Sequence, residues 1–180
     1  MKRYILTGAP GCGKTSLLRD LEMRGYFVVS EAATDLIAYE QAIGIEKPWE
    51  DPKFINDITK LQKQRQMQTD GVTSKIQFYD RSPICTYALA VYLGFAPPAD
   101  LLAEIERMQQ EKIYKREVFF IENLGHCKPT EAPRISFEEA LAFEKIHIQS
   151  YEQFGYELIK IPKGSLSERA DAIVKQLSHF

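Results

Sequence analysis

Residues 8–15 read Gly-Ala-Pro-Gly-Cys-Gly-Lys-Thr, and few stretches restrict their surroundings so tightly. They fit G-x-x-x-x-G-K-[ST] at every fixed position. An apolar run, Tyr4-Ile5-Leu6, precedes them, and a run of helical spacing, Ser16-Leu17-Leu18-Arg19-Asp20-Leu21, follows. Strand, glycine-rich turn and helix, in that order, is the context this phosphate-binding loop (P-loop) requires. Gly8, Gly11 and Gly13 can take backbone angles closed to other residues, so successive N–H groups can turn toward one anion. The helix start adds unsatisfied donors and the positive end of a dipole. Lys14 is spaced to reach the β- and γ-phosphates, and the Thr15 hydroxyl to hold Mg²⁺. Gly8, Ala9, Pro10, Gly11, Cys12, Gly13, Lys14, Thr15 and Ser16 are therefore the expected triphosphate cradle. The plain alternative is an ordinary glycine-rich turn, which does not explain the Lys-Thr pair.

The chain has 180 residues, 44% hydrophobic and 27% charged, which is enough for one domain with a full core. A formal net charge of -2 offers no bulk-charge case for nucleic-acid binding. No apolar run approaches a membrane span. The basic start, Met1-Lys2-Arg3, leads into an apolar stretch broken by Gly8 and Pro10, which reads as a first core strand rather than a signal peptide. Cys12, Cys85 and Cys127 are too few and scattered for a disulfide framework, so a reducing cytoplasm is the expected setting. Cys12 lies beside Lys14 at a helix start, where a thiol can acidify, but it reads as the occupant of a free loop position. His126-Cys127 lacks the second pair that a structural zinc site needs.

Apolar runs and stop signals alternate along the rest of the chain. A helix from Lys14 to about Arg24 stops at Gly25, and Phe27-Val28-Val29 reads as a strand buried on both faces. A helix from Ala32 to about Ile43 stops at Gly44, and Pro48 to Pro52 is a turn. A long polar helix runs from about Phe54 to Thr69. Ile76 to Tyr79 is the third strand. An apolar helix from Ile84 to Leu93 is expected to be well buried, and a second helix spans about Ala99 to Tyr114. Val118 to Ile121 is the fourth strand. Ser136 with Glu139 forms a capping-box pattern opening a helix to about Phe154. Tyr156 to Ile161 is the fifth strand. Ser165 with Glu168 opens the last helix, which reaches about Ser178. Such alternation predicts one parallel sheet with helices on both faces.

Ligands of such sheets bind beyond the carboxyl ends of the strands. Asp80 follows the third apolar strand and is the expected partner of Thr15 in a magnesium shell; alternatively Asp80 or Ser82 caps the helix begun by Pro83. Arg81 is placed to grip a phosphate or an acceptor, or else pairs with a nearby acid. Glu31, after the second strand, is the candidate general base toward an acceptor hydroxyl, or else it favours its own helix dipole. Asp35 lies one turn further on. Residues 123–134 read as a lid that could carry Lys128 and Arg134 to a transferring phosphoryl group. Lys60, Lys63 and Arg65 read mainly as a solvated face, with Lys63 or Arg65 as a reserve acceptor-phosphate ligand.

The stretches GAPGCGKT, VVSEAATDLI, IQFYDRSPICTYAL, VFFIENLG and FEKIHIQSYEQFGYELIKIPKGSLSERADAIVKQL together resemble small bacterial AAA-labelled ATP-binding proteins. These are related to nicotinamide-riboside-kinase-like and nucleoside or nucleotide kinase-like P-loop proteins. The resemblance spans essentially the whole chain, which is too short for a ring-forming AAA+ module. It implies a three-layer α/β P-loop fold over residues 1–180, a five-stranded parallel sheet in the order 2-3-1-4-5, and an ATP-Mg²⁺ site with Lys14, Thr15 and Asp80. It implies Glu31 as base and Arg81 at the acceptor, with Asp80 standing where those kinases usually carry Glu. It places adenine near Pro162-Lys163-Gly164-Ser165, mostly against backbone. Lid cations are sparser here than in the kinases: Lys128 and Arg134, with Arg116 before the strand.

Two functions lead as expectations, ahead of a third reading as a non-catalytic nucleotide sensor. One is a kinase that passes the ATP γ-phosphoryl group to a nucleoside-like or other small metabolite. The other is an ATPase or nucleotide-dependent switch acting on a protein partner. A guanine-reading Asn-Lys-x-Asp is missing after the fourth strand, where the chain reads Ile121-Glu122-Asn123-Leu124-Gly125.

Overall fold

The structure is a computed structural model, and it describes residues 1–123 and 137–178. Five strands are present among them: β1 (Lys2–Thr7), β2 (Phe27–Val29), β3 (Ile76–Asp80), β4 (Glu117–Ile121) and β5 (Glu157–Ile161). All pairings are parallel and the order is β2-β3-β1-β4-β5, as expected. In this register Tyr4 faces Phe78, Leu6 faces both Asp80 and Phe119, and Phe119 faces Ile159. Parallel pairing brings every strand's carboxyl end to one edge, so the P-loop, Glu31, Asp80 and Glu122 lie along a single rim.

Helices cover both faces. Alternation along β1 divides the core: Tyr4 and Leu6 point one way and Ile5 the other. On the first face Tyr4, Leu6, Phe78 and Phe119 pack against Leu17, Leu18 and Leu21 of α1 (Lys14–Met23) and Ala170 and Ile173 of α7 (Leu166–Leu177). On the second, Ile5, Tyr79 and Val118 meet α4 (Pro83–Tyr92), α5 (Ala99–Gln110) and α6 (Phe137–Gln153). A smaller cluster joins Ala32 of α2 (Ala32–Ala42) to Phe54 and Ile58 of α3 (Lys53–Gln68). The apolar helix α4 is largely buried, as its composition predicts. No helix among the described residues is long and apolar enough to cross a membrane.

Two expectations are corrected. The β2 strand is only half-buried, because it lies at the sheet edge and pairs with β3 alone. Helix α5 ends at Gln110 instead of near Tyr114. Lys112 takes a left-handed φ of 50°, and Ile113 N–H closes onto the Met108 carbonyl at 3.0 Å. This is the hydrogen bond of a glycine-type helix stop made without a glycine, so the sequence carried no sign of it. The Ser165–Glu168 capping box forms on α7 as predicted. The Ser136–Glu139 pattern lies outside the described residues, because Ser136 does.

Candidate nucleotide site

The P-loop rests on one close backbone approach. Gly8 has φ +137°, and a Cβ there would stand 2.5 Å from the Ile121 carbonyl oxygen of β4. Only glycine admits both the angle and the contact. Gly13 begins α1 with no side-chain cap, so the helix-start N–H groups of the loop have no side-chain acceptor. The Lys14 ammonium is buried and donates to the Gly8 and Ala9 carbonyls at 3.2 and 2.9 Å, with Cys12 Sγ at 3.5 Å. Cys12 itself is fully buried among Leu17, Leu21 and Ile161, the filling role expected of it. Thr15 and Ser16 are exposed in the first turn of α1.

Arg169 of α7 is a second buried cation at this loop. It donates to the Cys12 carbonyl at 2.8 Å and, at 3.5 Å, to that of Glu122. Its guanidinium also lies 3.2 Å from where a Cβ on Gly13 would sit. Burial works against its charge. Among the described residues neither Lys14 nor Arg169 has a carboxylate partner. Two buried cations outside any direct ion pair, beside a helix start with no side-chain cap, are suited to an anionic ligand.

Asp80 closes β3 under the same loop. Its Oδ2 is 3.5 Å from the Thr15 hydroxyl, and its buried Oδ1 has no hydrogen-bond partner. Ser82, not Asp80, caps α4, accepting from Ile84 N–H at 3.3 Å. Burial, and then the negative charge of Glu31, push the Asp80 carboxyl up to about 6. A buried carboxylate with one oxygen unsatisfied and a hydroxyl beside it fits a hard divalent cation such as Mg²⁺.

Arg81 holds a left-handed φ of 71° while its N–H bonds the Leu6 carbonyl at 3.0 Å. A non-glycine residue held there stores about 1–3 kcal/mol of strain. The strained turn aims its guanidinium across the rim. Nε stands 2.5 Å from Glu31 Oε1, and Nη1 is 3.0 Å from His147 Nε2. The other Glu31 oxygen accepts from the Thr34 hydroxyl at 2.8 Å. Burial alone would raise the Glu31 carboxyl, but Arg81, Lys14 and Thr34 outweigh it and hold it below its usual value. Burial also opposes the Arg81 charge, and its neighbours, Glu31 first and then Cys85 and Asp80, together more than offset that.

Asp35 takes up Arg65, whose other nitrogen donates to the Ser30 carbonyl at 2.8 Å. Arg65 and Gln62 line a small cavity with Val29, Asp80 and Arg81. Lys60 and Lys63 face Asp57 and Glu104 instead. Lys163 is exposed between β5 and α7. Arg116, grouped above with the lid cations, precedes β4 and donates to the Gly155 carbonyl, at the sheet end opposite the loop. Arg134, Lys128, His126 and Cys127 lie outside the described residues, as does the 123–134 lid except for Asn123.

Two residues of the cleft escaped the sequence reading. Arg169 sits in the first turn of α7, where a cation opposes the helix dipole; that was the available signal. His147 falls on the buried stripe Ala140, Phe143, His147, Ser150, Tyr151 of α6, where its spacing is that of a core position and gives no sign of a partner.

A five-stranded parallel sheet in this order, with a P-loop after its central strand, defines a P-loop kinase-like nucleotide-binding fold. A family model described as an AAA domain matches residues 3–169, and the chain belongs to that family. Deoxyadenosine kinase from M. mycoides, solved with dCMP and dCDP, has a similar fold: TM-score 0.66, 13% identity, covering 99% of this chain and 100% of that one. The NadR protein in complex with NR gives TM-score 0.72 and 17% identity over 98% of this chain. NadR in complex with NAD and AMP-PNP gives 0.66 and 19% over 98%. This chain spans 51% and 49% of those two NadR chains. At such identities the likeness is one of fold. No curated protein sequence matches the chain.

Proposed function

We propose that this protein is an ATP-dependent small-molecule kinase, moving the γ-phosphoryl group of ATP to a hydroxyl or phosphate of a nucleoside-like or other small metabolite. The observation that carries the reading is the Glu31–Arg81 ion pair, held at the ends of β2 and β3 beside Lys14, Thr15 and Asp80. A nucleotide holder alone has no use for a strained arginine and a carboxylate across from its phosphates. Lys14 and the loop N–H groups take the phosphates. Thr15 and Asp80 would hold Mg²⁺, which when bound neutralises phosphate charge. Arg81 grips the acceptor or the moving phosphoryl group, and that shift frees Glu31 to accept the acceptor's proton. The same reading takes the chain as one cytoplasmic domain, seats adenine near Lys163, and has residues 123–134 with Arg134 covering the cleft. The fold likeness to deoxyadenosine kinase and NadR supports it.

ATP hydrolysis coupled to a protein partner is the second reading. It draws on the same pair: with both oxygens engaged and its carboxyl held low, Glu31 is a weak base in this arrangement. Incubation with ATP-Mg²⁺ and pooled nucleosides, nucleotides and sugars separates the two. Stoichiometric phosphorylated product is expected. ATP loss with only inorganic phosphate formed, whatever acceptor is added, would sink the kinase reading in favour of the second.

A further inference from the structure

The guanidinium of Arg81 is held from two sides. Nε lies against Glu31 as an ion pair, and Nη1 meets His147. Arginine only donates, so His147 Nε2 must accept. On the other side of the ring, Nδ1 lies 3.0 Å from the Phe143 carbonyl, one helical turn back on α6, and a carbonyl only accepts. The two contacts leave one consistent form, a neutral imidazole with its proton on Nδ1. The ring is fully buried and packs edge-on against Phe143 with centroids 4.3 Å apart.

We propose that His147 is a positioning residue for Arg81: as the neutral Nδ1–H tautomer it accepts from Nη1 and keeps the guanidinium at the rim when an incoming acceptor or phosphoryl group draws it from Glu31. The choice of side chain has a physical reason. A carboxylate here would compete with Glu31 for Arg81 and add a second negative charge where an anionic group must enter. A neutral acceptor orients the fork and leaves its charge in place. Burial, together with the adjacent Arg81 charge, holds the imidazole well below its usual value, in keeping with this form. His147 also completes a chain of contacts from α6 through Arg81 to Glu31, which joins α4, α2 and α6 at the rim.

The inference rests on the kinase reading for its role in transfer, so the test has arms that do not. Long-range nitrogen–proton NMR of the wild type near neutral pH should show a protonated Nδ1 and a bare Nε2 for His147. A proton on Nε2 would overturn the proposal, since it would point at a donor. In His147→Leu the Arg81 guanidinium protons should exchange at least about tenfold faster than in wild type, the loss of one hydrogen bond to a charged group. His147→Gln, whose amide oxygen can accept, should restore slow exchange; equal rates in all three proteins would also overturn it. With an acceptor in hand, His147→Leu should lower kcat by about tenfold to a hundredfold with ATP affinity unchanged, and His147→Gln should recover most of it. Equal kcat losses in both variants, or parallel losses of ATP affinity and kcat, would mark a purely structural role. If no acceptor is found, the kinase reading fails by itself, and tautomer and exchange still decide the Arg81 contact.

Discussion

Lys14 and Arg169, distant in the chain, hydrogen-bond carbonyls of the same loop, and neither has a carboxylate partner among the described residues. On the proposed function, both charges await the phosphates of ATP. Lys14→Met is expected to lower ATP affinity by about a hundredfold, the worth of a lost charge-assisted contact to phosphate. Its urea midpoint without nucleotide should change little, because relief of a buried ammonium offsets its lost carbonyl contacts and its attraction for Glu31 and Asp80. Arg169→Lys keeps the charge but not the fork, and should lose about tenfold. Calorimetric ATP titration and urea melts check both. Unchanged ATP affinity in Lys14→Met would remove the loop from nucleotide binding.

Asp80 gives a pH dependence with a definite sign. Its carboxyl is raised from 3.8 to about 6 in the folded chain, so the folded state holds that proton more tightly than the unfolded one. In metal-free buffer this group favours folding below its unfolded value, and the advantage is lost as pH rises through about 6. Asp80→Asn escapes the ionisation. It should therefore be more stable than wild type at neutral pH, by about 2–3 kcal/mol at most, with the gap closing in mild acid. Thermal melts across pH test this. Added Mg²⁺-nucleotide should stabilise wild type and fail to stabilise the variant equally.

The pair Glu31–Arg81 is mostly buried, so removing one partner strands the other. Arg81→Met should cost about 3 kcal/mol in urea unfolding. The double variant Glu31→Gln with Arg81→Met should lose less than the sum of the singles, by about 1–3 kcal/mol. In transfer assays Glu31→Gln should keep ATP affinity and lower turnover by about a hundredfold. If ATP affinity falls and turnover per bound ATP does not, Glu31 is not the base.

Two glycines with positive φ separate contact from conformation. Gly44, at φ +98°, would admit a Cβ with nothing within 4 Å; Gly8 would not. Gly44→Ala should cost only the backbone preference, about 1 kcal/mol. Gly8→Ala should cost about 3 kcal/mol or more, because the Ile121 carbonyl must move. Chemical denaturation compares them directly.

Most of the fold was legible because local signals and tertiary demands coincide. Apolar runs gave the strands, and Gly25 and Gly44 stop helices where their positions suggested. Legibility failed where one residue does another's work, as Lys112 does at the end of α5. It failed again where a strand's neighbours matter, since Phe27 to Val29 reads the same at an edge as in the middle. Glu31, Asp80 and Arg81 could be named because each follows a strand, and parallel strands share one rim. His147 and Arg169 could not. Their partners are 66 and 157 residues away, and helix periodicity says which face is buried, not what waits there.

The approach of Gly8 to Ile121 bears on the order in which this chain becomes competent. The eight-residue motif is made before the parts that hold it: the carbonyl that fixes its opening turn belongs to the fourth strand, and the guanidinium that clips its middle to α7. A nascent chain cut before Ile121 carries the full motif and none of this support. On the proposed function, ATP affinity should therefore arise only once α7 has docked, as a readout of completed folding, although the loop proposed to hold the phosphates is made well before it.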